Sequence, residues 1–200
     1  MHIRPFGVEI WMNRYENECE FNLAETCVDS LTVSQLLELA GKGNSGLDEL
    51  LPMRLSYGAI EGSDRLRNSI ASLYEHQSQA NVVVTHGAIG ANALIYQTLV
   101  EPADRVVSVL PTYQQHYSIP ESLGAEVRVL RLREEDGYLP DLDELKRLVG
   151  RQAKLIALTN PNNPTGALIE RLMLKAIAAI ARDAGAWVLC DEVYRGVDQH

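Results

Sequence analysis

Lys154-Leu155-Ile156-Ala157-Leu158-Thr159 runs directly into Asn160-Pro161-Asn162-Asn163-Pro164-Thr165-Gly166, and that junction decides the fold. The first six residues are apolar on both faces, which suits a central strand covered on both sides, whereas a half-exposed strand would alternate. The next seven hold two prolines, three asparagines and a glycine. Proline fixes φ and Asn and Gly tolerate left-handed conformations, so the stretch reads as a tight connection. A helical pattern follows over about 168–184, with Leu172, Ala176, Ala179 and Ile180 on one face and Gly185 closing it. Strand, tight connection and helix in that order form the repeating unit of a parallel sheet.

The same alternation extends in both directions. Short apolar runs at 82–84, 106–110, 127–130, 155–159 and 187–190 read as strands. Between them, 88–100 reads as a helix stopped by Pro102. Asp141 with Glu144 has the spacing of a capping box ahead of the Leu142, Leu145 and Leu148 stripe, which Gly150 ends. The expected fold class is α/β, a three-layer sandwich around a mainly parallel sheet. The first eighty residues are patterned differently. Thr32 with Gln35 forms a capping box for a short helix up to Gly41, Lys42-Gly43-Asn44-Ser45-Gly46 reads as a flexible loop, and 63–78 as an amphipathic helix carrying Leu66, Ile70, Leu73 and Tyr74. This part reads as an N-terminal arm and part of a small domain, residues 1–56, ahead of a larger domain over 57–200.

Composition narrows the function classes. A net charge of -9 over 200 residues leaves no basic stripe for a phosphate backbone, so nucleic acid is not an expected partner and small molecules are. Cys19, Cys27 and Cys190 match neither a disulfide framework nor a zinc site, which fits a reducing cytoplasm. No stretch nears the roughly 18 apolar residues of a membrane span, and no metal cluster is legible.

Four segments at expected strand ends carry chemistry. One is the 160–166 connection itself, at the edge of a parallel sheet where α/β proteins bind ligands. Asp191 in Cys190-Asp191-Glu192-Val193-Tyr194-Arg195 is a second: a carboxylate at a buried strand end needs a partner, either a cation, a helix N-terminus or a protonated heterocyclic nitrogen. In Thr85-His86-Gly87-Ala88-Ile89-Gly90, main-chain N–H groups at a helix start can meet a phosphate, although the spacing is neither a P-loop nor a complete G-x-G-x-x-G. Pro111-Thr112-Tyr113-Gln114-Gln115-His116-Tyr117 places an aromatic at a strand end, for packing or for ligand contact. His86 and His116 read as structural or solvent-facing.

Taken in order, Tyr57, Gly62 and Leu66-Arg67, then Gly87-Ala88-Ile89, Pro111-Thr112-Tyr113, 160–166 and Asp191-Glu192-Val193-Tyr194 resemble the class I/II aminotransferases, pyridoxal-phosphate (PLP) enzymes of fold type I. The resemblance implies a PLP-binding large domain and a role for each matched residue. Asp191 would pair with the pyridine nitrogen, Tyr194 and Asn163 would hydrogen-bond the phenolic oxygen, and Tyr113 would stack on the ring. Gly87, Ala88 and Ile89 would cradle the phosphate, and Tyr57 would reach the phosphate of a neighbouring subunit in a homodimer. An amino acid and a 2-oxo acid are the implied substrates.

The family's Schiff-base lysine should follow Tyr194 by about thirty residues, beyond His200. Lys42, Lys146, Lys154 and Lys175 lie in the wrong segments to replace it. The favoured expectation is therefore part of a protein roughly twice as long, and the alternative is a catalytically incompetent remnant. Lyases, cyclases and decarboxylases share the scaffold, and Phe6-Gly7-Val8-Glu9-Ile10-Trp11 with Arg14-Tyr15, then Ser30-Leu31-Thr32, resembles capreomycidine synthase. A non-catalytic protein that binds PLP or a partner surface is the third reading.

Overall fold

A computed structural model describes residues 2–24, 30–43 and 45–197. Cys27, Asn44 and His200, each named above, lie outside the described residues. The chain divides into two compact units, one of residues 1–13 with 85–200 and the other of residues 14–84.

The larger unit is built on four parallel strands, β1 (Arg105–Leu110), β2 (Glu126–Arg131), β3 (Ala153–Thr159) and β4 (Trp187–Asp191), in the order β2-β1-β3-β4. In chain order the helices are α1 (Gly7–Tyr15), α2 (Val33–Leu39), α3 (Ser45–Leu50), α4 (Asp64–Ala71), α5 (Gly87–Leu99), α6 (Gln115–Ser122), α7 (Leu142–Val149) and α8 (Arg171–Ala184). Side chains of a strand alternate between faces, and β3 divides its apolar residues accordingly. Ile156 and Leu158 join Val107, Val109, Leu145, Val149 and Ile177 beneath α7 and α8. Leu155 and Ala157 join Val106, Tyr96, Val100 and Ile119 beneath α5 and α6. The two cores make the three-layer sandwich anticipated from the double-faced apolar run.

The order of the strands selects a position on the sheet. From β1 the chain crosses to β2 on one side, and from β3 it crosses to β4 on the other. Connections that diverge in this way leave a crevice at the carboxyl ends of the two central strands, where open α/β sheets bind ligands. Thr112 and Thr159, the residues there, have their hydroxyls 3.2 Å apart.

Helix ends follow local chemistry. Asp141 accepts hydrogen bonds from the Asp143 and Glu144 N–H groups, while the Glu144 carboxylate turns to Arg133 at 3.2 Å instead of closing the box. Gly185 ends α8 with φ at 68°. The reciprocal Thr32 and Gln35 box is present ahead of α2.

Four sequence expectations are corrected. Residues 82–84 do not join the sheet; the Val84 N–H donates to the Glu61 carbonyl at 2.9 Å, tying this extended stretch to the smaller unit. Gly62 allows that approach, because a Cβ there would lie 2.4 Å from Val84 Cγ2. Arg67 ties the same region together by donating to the Gln79 carbonyl at 2.7 and 3.1 Å and pairing with Glu61 at 2.7 Å. The helix expected over 63–78 ends at Ala71. Ser69 and Ser72 bond back to the Arg65 and Ser69 carbonyls, a pattern that competes with continued helix, and Leu73 and Tyr74 fall outside it. Ser45 and Gly46 belong to α3, not to a loop. Finally, α8 starts at Arg171 and not near 168, because the Asn160 side chain holds both main-chain groups of Ile169, at 2.7 and 3.2 Å.

Leu158 is fully buried at the centre of one core. Leu158→Ala is expected to cost about 2–5 kcal/mol of unfolding free energy, read as a lower denaturant midpoint at unchanged m-value.

Candidate functional site

At the sheet's carboxyl edge a cleft of about 190 Å³ is lined by Ala88, Ile89, Asn92, Tyr113, Gln115, Thr159, Asn163, Asp191, Val193 and Tyr194. Each lining segment arrives by a local device. In the 160–166 connection the three asparagines divide the work. Asn160 donates its N–H to the Asp191 carbonyl at 2.8 Å and pins Ile169 with its side chain. Asn162 donates to the Pro111 carbonyl at 3.2 Å, joining the β3 end to the β1 end, and to Thr165 Oγ1 at 2.9 Å. These two build the loop. Asn163 faces the cleft, with Nδ2 3.5 Å from the Tyr194 hydroxyl.

Asp191 ends β4 opposite Thr159 in register and is 7% exposed. Val193 N–H donates to Oδ1 at 3.0 Å, Asn92 Nδ2 donates to Oδ2 at 2.7 Å, and His116 Nε2 stands 3.3 Å from the same Oδ2. Of the last two only the Asn92 contact has hydrogen-bond geometry; the His116 contact is an electrostatic approach. Burial alone would raise the Asp191 pKa. The contacts from His116, Asn92 and the Val193 N–H outweigh it and hold the carboxyl below its ordinary 3.8. Asn92 uses its second N–H on Gln115 Oε1 at 3.2 Å, and Gln115 Nε2 donates to the Ile89 carbonyl at 2.7 Å, so one amide chain links Asp191 to the first turn of α5.

That first turn begins at Gly87, whose φ of 69° is a conformation other residues rarely adopt. His86, at the N-cap position, makes no side-chain capping bond, so it leaves the first N–H groups of α5 uncapped. A helix start of this kind suits an anion. Tyr113 stands on the cleft wall beyond β1. Phe6 meets its ring edge-on at 5.8 Å, and its hydroxyl donates to Glu9 Oε1 at 2.8 Å. Burial first, then the Glu9 bond and charge, push the Tyr113 phenol up to about 12. Gln114 fastens the same N-terminal stretch by donating to the Arg4 and Pro5 carbonyls at 3.3 and 3.0 Å while accepting from the Gly7 N–H at 3.3 Å.

Of the residues named from sequence, Ala88, Ile89, Tyr113, Asn163, Asp191 and Tyr194 line this one cleft, and Gly87 opens the helix that supplies two of them. Tyr57 belongs to the smaller unit and its side chain is fully exposed. His116 is not solvent-facing: it is fully buried, with Nδ1 2.9 Å from the Tyr96 hydroxyl. Sequence reasoning passed over Asn92 and Gln115. The signal for Asn92 was a polar side chain on the otherwise apolar run Ala91-Asn92-Ala93-Leu94-Ile95.

Comparison with known proteins identifies the family. The profile of the family "Aminotransferase class I and II" matches residues 32–197. The chain belongs to this family. A PLP-dependent aminotransferase from Streptococcus suis 89-1591 superposes with a TM-score of 0.92 at 42% identity, over 96% of this chain and 52% of that one. The aspartate aminotransferase of Pyrococcus horikoshii is 34% identical over 143 residues, 69% of this chain and 37% of its own length. Capreomycidine synthase of Streptomyces vinaceus is 30% identical over 165 residues, 82% of this chain and 42% of its own. The chain spans half or less of the length of the curated relatives it matches. No helix among the described residues is long and apolar enough to cross a membrane.

The lowered Asp191 pKa makes stability depend on pH with a definite sign. A carboxyl whose folded pKa lies below its unfolded value stabilises the fold fully above the unfolded value, and that contribution is lost as pH falls through the folded one. The stability advantage of the protein over Asp191→Asn is therefore expected to be constant from pH 7 to about 5 and to close on further acidification, as measured by denaturant titration at each pH.

Proposed function

We propose that this protein is a PLP-dependent aminotransferase that moves an amino group between an amino acid and a 2-oxo acid, acting as a cytoplasmic homodimer. The observation that carries the reading is the buried, ionised Asp191 in the same cleft as the start of α5, where the N-cap residue His86 makes no side-chain capping bond. The donor set fits the cofactor. A carboxylate held ionised suits a protonated ring nitrogen, a flat aromatic suits a ring face, and main-chain N–H groups at a helix start suit a phosphate.

Bound there, PLP supplies an electron sink for the negative charge that develops when a substrate loses its Cα proton. The chain's own residues prepare that chemistry. Asp191, as an anion, would hold a proton on the pyridine nitrogen. Asn92, His116 and the Val193 N–H keep Asp191 an anion despite its burial. Asn163 Nδ2 and the Tyr194 hydroxyl, 3.5 Å apart, would hold the phenolic oxygen, and Tyr113, steadied by Phe6 and Glu9, would cover the ring. Gly87, Ala88 and Ile89 take the phosphate with main-chain N–H groups, which is why two apolar side chains are acceptable there.

Tyr57 is the residue we assign to a neighbouring subunit's phosphate. It stands in a stretch where Leu51, Met53, Leu55 and Ile60 are also exposed, apolar surface that a second copy would cover. The similarity to capreomycidine synthase over 82% of this chain supports a second reading, a cyclase on the same scaffold.

Incubation of the protein with single amino acids and pyruvate or 2-oxoglutarate separates the two readings. A new amino acid formed with stoichiometric keto acid supports transamination, while ammonia or a cyclised product overturns it. In the active protein Asp191→Ala is expected to lower kcat by about 10²–10³-fold, and a loss under about threefold would remove Asp191 from the cofactor site.

A further inference from the structure

Tyr96 on α5 and His116 on α6 are both fully buried, and neither is part of the cleft wall. The Tyr96 hydroxyl lies 2.9 Å from His116 Nδ1, and the other ring nitrogen, Nε2, lies 3.3 Å from Asp191 Oδ2. A second contact of the hydroxyl, to the His116 carbonyl, is longer at 3.4 Å. The three side chains form a line from a helix interior to the end of β4.

The two ring nitrogens of a neutral imidazole differ: one carries hydrogen and donates, the other accepts. With hydrogen on Nδ1 alone, a bare Nε2 lone pair would face the Asp191 carboxylate inside a buried site. With hydrogen on Nε2, the ring turns a positive hydrogen toward the carboxylate 3.3 Å away, an electrostatic contact without hydrogen-bond alignment, and Nδ1 needs a donor of its own. No other side chain bonds Nδ1 among the described residues, and Tyr96 has a hydroxyl hydrogen to give. Burial, with the nearby Asp191 charge second, pushes the Tyr96 phenol far above its ordinary range, so the hydroxyl keeps that hydrogen at any working pH.

We infer that Tyr96 is a positioning residue for the reaction: by donating to Nδ1 it keeps His116 in the form that carries hydrogen on Nε2, and thereby keeps Asp191 anionic toward the cofactor ring. Its effect on the cofactor rests on the reading of Asp191 given above. Its effect on His116 does not.

Nitrogen-15 NMR of the imidazole in the cofactor-free protein at pH 8 reads the form of His116 directly. Hydrogen on Nε2 and none on Nδ1 is the expected result; hydrogen on Nδ1, in a neutral or a cationic ring, overturns the inference. This measurement on the unaltered protein is decisive even if Tyr96→Phe does not fold. Where that variant folds, His116 is expected to lose its single form. Binding of pyridoxamine 5′-phosphate, a probe that makes no covalent bond to the protein, is then expected to weaken about tenfold, the equivalent of roughly one pKa unit at Asp191. In a His116→Asn background the same Tyr96 substitution is expected to change affinity less than twofold. Equal weakening in both backgrounds places the effect of Tyr96 outside His116 and overturns the inference. If the unaltered protein does not bind the probe, the cofactor reading fails while the NMR result still decides what Tyr96 does to His116.

Discussion

An ionised carboxylate with 7% of its surface exposed is the constraint around which the larger unit is arranged. Burial of a charge is costly unless polar groups replace the lost water, and Asp191 accepts hydrogen bonds from Asn92 on α5 and the Val193 N–H beyond β4, while the His116 ring at the start of α6 stands 3.3 Å away without hydrogen-bond alignment. These groups are in turn held. Gln115 orients Asn92, Tyr96 meets His116, and the Asn160 N–H bonds the Asp191 carbonyl. Movement of any one of these elements leaves a charge or an amide unsatisfied in the interior, so the site and the packing around it form one network.

The sheet makes that convergence possible. Because the connections from β1 and β3 diverge, the ends of the two central strands are not covered by a crossing helix, and the segments after β1, β3 and β4 meet in the space that is left. Asn162 closes the gap between the first two of these segments by reaching the Pro111 carbonyl. The N-terminal residues then brace Tyr113 from outside, Phe6 through its ring and Glu9 through its carboxylate. A chain start that looks like a simple arm in sequence thus contributes to the wall of the cleft.

The legible parts of the fold were those set by short-range chemistry. Four of the five expected strands are present, and the caps at Thr32, Asp141, Gly150 and Gly185 fall where residue type places them. The departures arise where a specific hydrogen bond overrides the local pattern. The Glu61 main-chain carbonyl holds residues 82–84 away from the sheet, serine hydroxyls bonded three and four residues back end α4 early, and the Asn160 side chain delays the start of α8. None of those bonds has a signature in the hydrophobic period on which the expectations rested.

The sequence alone determined that apolar runs would stack as parallel strands and that proline, asparagine and glycine would turn the chain at their ends, because burial period and φ preference are properties of neighbouring residues. It also showed which side chains stand at those ends, Tyr113, Asn163, Asp191 and Tyr194 among them. Only the tertiary structure decided that Asn92, His116 and Tyr96 gather behind Asp191. Their meeting depends on how α5 and α6 lie across the sheet, and a helix's rotation and height over its strands are set by packing between residues far apart in the chain.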